Sequence, residues 1–189
     1  RAEDREINCD GCYCGGRRKG WGDDLRACRQ VVKMGEITPL TIREARETDI
    51  EALFEIRART RENAIPRWYL ESLGITPQSW AAGLLGGREQ TWVCFDGEKQ
   101  VGFCGADATS GEVQVLAVLP EYEGRGIGRD LLAQAVAWLR SRGWRRLWLA
   151  TDPDPTKRSH GFYQSQGWRP TGEIQERAGD EIFELELQD

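Results

Sequence analysis

Three glycines at alternate positions, Gly124, Gly126 and Gly128, separate the apolar run Val113 to Leu119 from a helical pattern that opens at Ile127. Glycine has no Cβ, so such a turn can fold tightly and let a ligand approach the backbone closely. The N–H groups of a first helical turn have no intrahelical partner, and with the helix dipole they favour an anion. Arg125 and Arg129 put positive charge beside the same turn. The chemistry implied is the binding of a phosphate-bearing ligand.

Two common phosphate signatures are excluded by spacing. A P-loop requires a lysine and a hydroxyl residue directly after its last glycine, and here Arg129 and Asp130 follow Gly128. A dinucleotide fingerprint requires Gly-x-Gly-x-x-Gly. Its third glycine position is Arg129 counted from Gly124, and Leu131 counted from Gly126. A second segment decides the choice. Ser159-His160-Gly161-Phe162-Tyr163-Gln164-Ser165-Gln166-Gly167-Trp168 lies roughly forty residues downstream, after the strand-like Leu147-Trp148-Leu149-Ala150-Thr151-Asp152-Pro153.

With both segments in this order, the chain resembles the GNAT superfamily of N-acetyltransferases. That family carries Gln/Arg-x-x-Gly-x-Gly/Ala in its pyrophosphate loop and Phe-Tyr-x-x-x-Gly-Phe after the following strand. The resemblance covers about residues 40–187. Glu123 stands where the family has Gln or Arg, and the Asn common before the second helix is absent.

The resemblance implies an α/β fold with a mixed, mostly antiparallel central sheet flanked by helices. It implies acetyl-coenzyme A as cofactor and transfer of its acetyl group to a primary amine of a small molecule or peptide. By position, the backbone of Leu116, Ala117 and Val118 would hold the pantetheine arm and supply an oxyanion donor. Arg125, Gly126, Ile127, Gly128 and Arg129 would hold the pyrophosphate. Tyr163 matches the tyrosine that protonates the departing thiolate, and a phenol with a pKa near 10 carries its proton at neutral pH. Glu112, at the start of the strand before the glycine turn, is the candidate base. Asp107, Glu121 and direct loss of the proton through water are the alternatives. Arg61 and Asn63 fall in the connection that walls the acceptor site in this family and are expected to touch the substrate. Pairing of two copies through edge strands is common in the family, so a homodimer is the oligomer to expect. A second functional reading is an acyl-coenzyme A-binding regulatory module whose cysteine segment senses metal or redox state.

The elements that must position these residues are legible as patterns. Leu40-Thr41-Ile42-Arg43 reads as a first strand. Thr48 and Glu51 have capping-box spacing before a helix in which Ile50, Leu53, Phe54 and Arg57 follow helical spacing, three of the four apolar. Pro66 opens a short second helix, and Thr76-Pro77 starts a third. Two apolar runs, Thr91 to Phe95 and Val101 to Gly105, flank Asp96-Gly97, a hairpin signal. The helix after the glycine turn places Leu131, Leu132, Ala135, Val136 and Leu139 on one face. Arg145 to Thr151 reads as a buried strand and Thr156 to Gln166 as a helix that stops at Gly167. Trp168 to Ile174 and Glu181 to Leu187 form a final hairpin. This order argues a mixed sheet with helices. His160, one turn before Tyr163, is read as an exposed residue at a helix start.

Composition sets the outer bounds. The chain has 189 residues, enough for one well-cored domain and a small extra segment. A net charge of −5 argues against a nucleic-acid binder. No apolar run approaches the length of a membrane span and no secretory pattern opens the chain, so a cytoplasmic location is expected. Eight tryptophans are read as packing rather than ligand-stacking groups. Residues 1–36 differ from residues 37–189, the acetyltransferase-like domain. They hold Cys9, Cys12, Cys14 and Cys28 as Cys-x2-Cys-x-Cys-x13-Cys. Four thiolates can bind zinc tetrahedrally, so this segment is a metal site or a flexible extension. Cys94 and Cys104 fall inside the hairpin strands and are read as core residues.

Overall fold

The structure, a computed structural model, describes residues 39–176 and 179–188. Cys9, Cys12, Cys14 and Cys28, and with them the expected zinc site, lie outside the described residues.

The sheet grows from its two most apolar strands, β2 (Glu89–Asp96) and β3 (Lys99–Asp107), joined through Gly97 at φ +61°. Thr91 to Cys94 and Val101 to Ala106 are buried without a break. Unbroken burial requires cover on both faces of the sheet. One face is covered by α1 (Ile50–Ala58), which buries Leu53 and Ile56 against Val93 and Phe103. The other is covered by α4 (Ile127–Ser141), which buries Ile127, Leu131, Leu132, Ala135 and Leu139 in the cluster of Trp92, Cys94 and Cys104. The two cysteines are therefore core residues, and burial pushes the Cys94 thiol up to about 11.

Seven strands order as β1-β2-β3-β4-β5-β7-β6, with β1 at Leu40–Glu44, β4 at Glu112–Val118, β5 at Arg146–Thr151, β6 at Arg169–Ile174 and β7 at Glu181–Glu186. All neighbours are antiparallel except β4 and β5. These two run parallel and pair at a single position, Glu112 with Trp148, reinforced by Trp148 N–H donating to the Gly111 carbonyl at 3.2 Å. Beyond that point they separate. The join is held by two indoles: Trp144 Nε1 donates to Ala108 O at 2.8 Å and Trp148 Nε1 donates to Ser110 O at 3.0 Å. Gly111, at φ +74°, is required there, because a Cβ would lie 2.7 Å from the Trp144 ring. Trp144 and Trp148 thus pin the backbone, and Trp92 and Trp168 are packed in the core, whereas Trp68 is 69% exposed.

Helices α2 (Arg67–Ser72) and α3 (Pro77–Leu85) follow Pro66 and Thr76 as the sequence indicates, and Thr76 Oγ1 accepts from Ser79 N at 3.1 Å. The start of α1 differs from expectation. Thr48 lies inside a 3₁₀ turn, Glu47–Asp49, and does not cap. Asp49 takes the organising role: its buried carboxylate accepts from Arg46 N at 2.7 Å, from both Arg43 guanidinium nitrogens, and from Gln100 Nε2 at 2.8 Å. A carboxylate with that many donors outcompetes a threonine hydroxyl for the role. The helix α5 (Arg158–Ser165) begins two residues later than expected and ends before Gly167 at φ +89°. Among the described residues, no helix is long and apolar enough to cross a membrane.

Candidate active site

The separation of β4 from β5 opens a cleft of about 450 Å³. Val113 to Val118 form its floor. This stretch of β4 pairs with β3 on one side only, so its other edge faces the cleft with its backbone groups free. The strand also carries a β-bulge. Val113 pairs with Ala106 and Val115 with Gly105, which leaves Gln114 as the extra residue, lining the cleft. Bulges of this kind re-aim a strand beside a site. No spacing in the sequence announces it.

One end of the cleft is the glycine turn. Gly124 and Gly126 have φ of +76° and +84°, where a side chain would be strained. Gly126 is the N-cap of α4 and offers no side chain to its first turn, and its carbonyl accepts from Asp130 N at 3.0 Å. The amides of Ile127, Gly128 and Arg129 are therefore uncapped, and all three residues line the cleft. Free N–H groups at a helix start favour an anion. Gly128 has ordinary φ, and a Cβ there would touch Phe162 at 3.5 Å. Arg129 lines the cleft and donates to Asp130 at 3.0 Å. Arg125, expected at the phosphates, stands outside the lining residues, its guanidinium 4.8 Å from the Tyr122 ring centroid.

Glu123 resolves its own departure from the family pattern. Its carboxylate accepts from Arg61 Nε at 3.0 Å and from Arg158 Nη1. Burial alone would raise its pKa, but the hydrogen bonds from Arg158 and Arg61 hold the carboxyl below the usual range. The negative charge in the phosphate turn is thus offset twice over. Arg61 and Asn63, both expected at the acceptor, line the cleft; Arg61 is engaged by Glu123, and the Asn63 carbonyl accepts from Arg57.

Tyr163 stands on α5 in the cleft wall, 9% exposed, with its ring against Phe162, Trp168 and Phe183. Burial pushes its phenol pKa well above the ordinary value, while the nearby Arg57 charge draws it back in part. The hydroxyl therefore keeps its proton throughout the neutral range. His160 is not exposed, contrary to expectation. It is 5% exposed, lies edge-on to Phe183, and bonds the Asp152 carbonyl through Nε2 at 2.7 Å. It is a satisfied core histidine that fixes the end of β5. The i, i+3 spacing from Tyr163 turns both residues to the same inward face.

Glu112 sits at the closed end of the β4–β5 separation, beside the cleft floor and not among its lining residues. Burial, with a smaller contribution from the Asp107 charge, pushes its pKa up to about 7. Of the alternatives, Asp107 pairs with Glu112 across the β3–β4 ladder, and neither it nor Glu121 lines the cleft. Asp107 accepts from Thr109 and Ser110 in the β3–β4 turn, and Glu121 meets Lys99 and Arg59 on the surface.

Arg57 is the cleft residue that sequence reasoning passed over. Its signal was present: an arginine on the inward stripe Ile50, Leu53, Phe54, Arg57. It lines the cleft, and its charge is felt by both Tyr163 and Asp180.

Comparisons with known proteins agree with this geometry. The Acetyltransferase (GNAT) family model matches residues 50–168. The chain is similar to a mycothiol acetyltransferase of Beutenbergia cavernae, 39% identical over 64 residues, which is 34% of this chain and 21% of that relative. It therefore spans about a fifth of the length of that curated relative. Among solved structures it is similar in fold to the PaiA N-acetyltransferase of Thermoplasma acidophilum in complex with coenzyme A, with TM-score 0.66, 20% identity, and coverage of 79% of this chain and 99% of the other. It is also similar in fold to the ribosomal-protein-S18-alanine N-acetyltransferase of Escherichia coli, with TM-score 0.60, 22% identity, and coverage of 80% and 96%.

Proposed function

This chain belongs to the acetyltransferase (GNAT) family, and we propose that its cleft transfers the acetyl group of acetyl-coenzyme A to a primary amine by direct attack. The observation that carries this reading is the pairing of two features in one cleft. An uncapped helix start lies at one end, and a proton-bearing Tyr163 lies in the wall. The uncapped amides of Ile127, Gly128 and Arg129 would hold the pyrophosphate, and the free edge of β4 at Leu116 to Val118 would hold the pantetheine arm as an added strand does. The bound cofactor supplies an activated acetyl thioester.

The residues of the chain then have three tasks. Backbone N–H groups on the free β4 edge stabilise the negative charge that develops on the carbonyl oxygen. Tyr163 holds a proton at its hydroxyl for the departing sulfur, and its raised pKa ensures that the proton is present. Glu112, with a pKa near 7, takes the proton of the incoming amine by way of water, since it does not line the cleft itself.

A thermal-shift titration with acetyl-coenzyme A, with NAD and ATP as controls, tests the cofactor. A ligand at one hundred times its dissociation constant adds about 2.7 kcal/mol of stability. A shift with acetyl-coenzyme A alone is expected, followed by turnover on an amine panel read by mass spectrometry. A shift with NAD instead would overturn the reading.

A further inference from the structure

Four arginines line the cleft, and three of them meet a carboxylate: Arg61 and Arg158 meet Glu123, and Arg129 meets Asp130. Arg57 does not. Among the described residues, the hydrogen bond of its side chain goes to the neutral carbonyl of Asn63. A guanidinium has five N–H donors in a planar fork that matches a carboxylate, and it stays charged at any working pH. Arg57 is half-buried on the inward stripe of α1, in the company of Leu53, Phe54 and Ile56. Burial lowers its pKa, with Tyr163 and Asp180 opposing. A cation kept on an otherwise apolar face, hydrogen-bonded to a neutral carbonyl and with Asp180 as the carboxylate whose charge reaches it, is costly unless a ligand completes it.

Its place in the cleft says which ligand. Arg61, four residues later, belongs to the glycine-turn end through Glu123. Arg57 belongs to the Tyr163 end, where its charge couples to that phenol. The phosphate end is already served by the α4 start. We infer that Arg57 selects the acceptor: it takes the carboxylate of a small amine substrate, an amino acid or close analogue, while the amine of that molecule faces the reacting centre. Gln114, exposed on the bulge of β4, and Asn63 stand in the same cleft to complete the polar surround. This inference rests on the acetyl-transfer reading above.

The test uses pairs of amines that differ only by a carboxylate: phenylalanine and phenethylamine, leucine and isoamylamine, β-alanine and ethylamine. Wild-type kcat/KM is expected to favour the carboxylate member of at least one pair by about 10- to 100-fold. In Arg57→Gln that ratio collapses towards one, because the carboxylate member alone loses rate. Arg57→Lys recovers part of it. Equal rates on every wild-type pair, or an equal loss on both members in Arg57→Gln, would overturn the inference, the second by assigning Arg57 to the transfer step itself. Should no amine turn over, calorimetry of N-acetylphenylalanine and N-acetylphenethylamine on the enzyme–coenzyme A complex decides. Preferential binding of the former, lost in Arg57→Gln, supports the inference even then, and equal binding overturns it. Absence of coenzyme A binding in the same experiment would instead bring down the acetyl-transfer reading. Circular dichroism and the Tm of each variant control for folding.

Discussion

Arg61 Nε lies 3.0 Å from the Glu123 carboxylate, and Arg158 reaches the same oxygen from the opposite wall. Glu62 extends the connection by accepting from Arg158 N at 3.2 Å. The α1–α2 connection, the glycine turn and the start of α5 are thereby tied through one acidic side chain. That carboxylate stands next to the uncapped start of α4, the proposed pyrophosphate site. Glu123→Gln is therefore expected to tighten coenzyme A binding about three- to tenfold, since it removes a repelling charge and releases two arginines. Calorimetry at low and high salt checks this. The gain should shrink at high salt, because the two arginines it releases are largely exposed.

Tyr163→Phe removes one oxygen from a buried ring whose packing against Phe183 and Trp168 is otherwise kept. The expected result is a fall in kcat of about 100-fold or more, with the KM for acetyl-coenzyme A within about threefold of wild type. Steady-state kinetics separates the two. Because burial raises the phenol pKa, the wild-type rate should show no decline through loss of this proton between pH 7 and 9.

Glu112 links activity and stability with opposite signs. As the base, it must be ionised, so kcat/KM should rise with pH through about 7. For stability, the folded pKa of about 7 exceeds the unfolded value near 4.5. The native state then binds more protons between these values, and the contribution of Glu112 to stability is lost as pH rises from 4.5 to 7. Glu112→Gln should flatten the rising limb and lower turnover about 10- to 100-fold. The same variant should gain about 1–2 kcal/mol of stability at about pH 8, after allowance for the solvent that reaches the group. pH-rate profiles and urea melts at pH 5 and 8 check both signs.

The two helix-start glycines should behave differently. Gly126→Ala forces an L-residue to φ +84° and should cost about 1–2 kcal/mol, with weakened coenzyme A binding. Gly128→Ala has ordinary φ and meets Phe162 at 3.5 Å, an ordinary contact. It should change stability by less than about 0.5 kcal/mol. Urea melts of the two variants side by side read the contrast.

The elements were legible because their signals are local. Pro66, Thr76-Pro77 and Asp96-Gly97 each restrict their own backbone, and the elements begin or turn where those residues stand. The glycine turn was legible for the same reason. What escaped depended on contacts between distant residues. Asp49 displaced Thr48 at the start of α1 because Arg43 and Gln100, on two other strands, donate to it. His160 is buried because Phe183, twenty-three residues away, covers it. The pairing of Glu123 with Arg61 spans 62 residues, and the bulge at Gln114 depends on the register with β3. Arg57 was visible on its stripe, but nothing local distinguishes a cation turned to a cleft from one whose aliphatic stem merely lies along a core.

The single Glu112–Trp148 pairing divides the sheet into two halves, β1 to β4 on one side and β5 to β7 on the other. Each half is internally laced by antiparallel ladders, whereas the strand and indole hydrogen bonds that join them gather at the Trp144 and Trp148 end, and a common core of Trp92, Leu131, Leu147 and Phe183 spans both. A sheet edge usually lies on the outside of a protein, where it invites association with other chains. Here one edge is turned inwards and reserved. A long extended ligand lying along it would act as a removable strand, and its arrival would rivet the halves together.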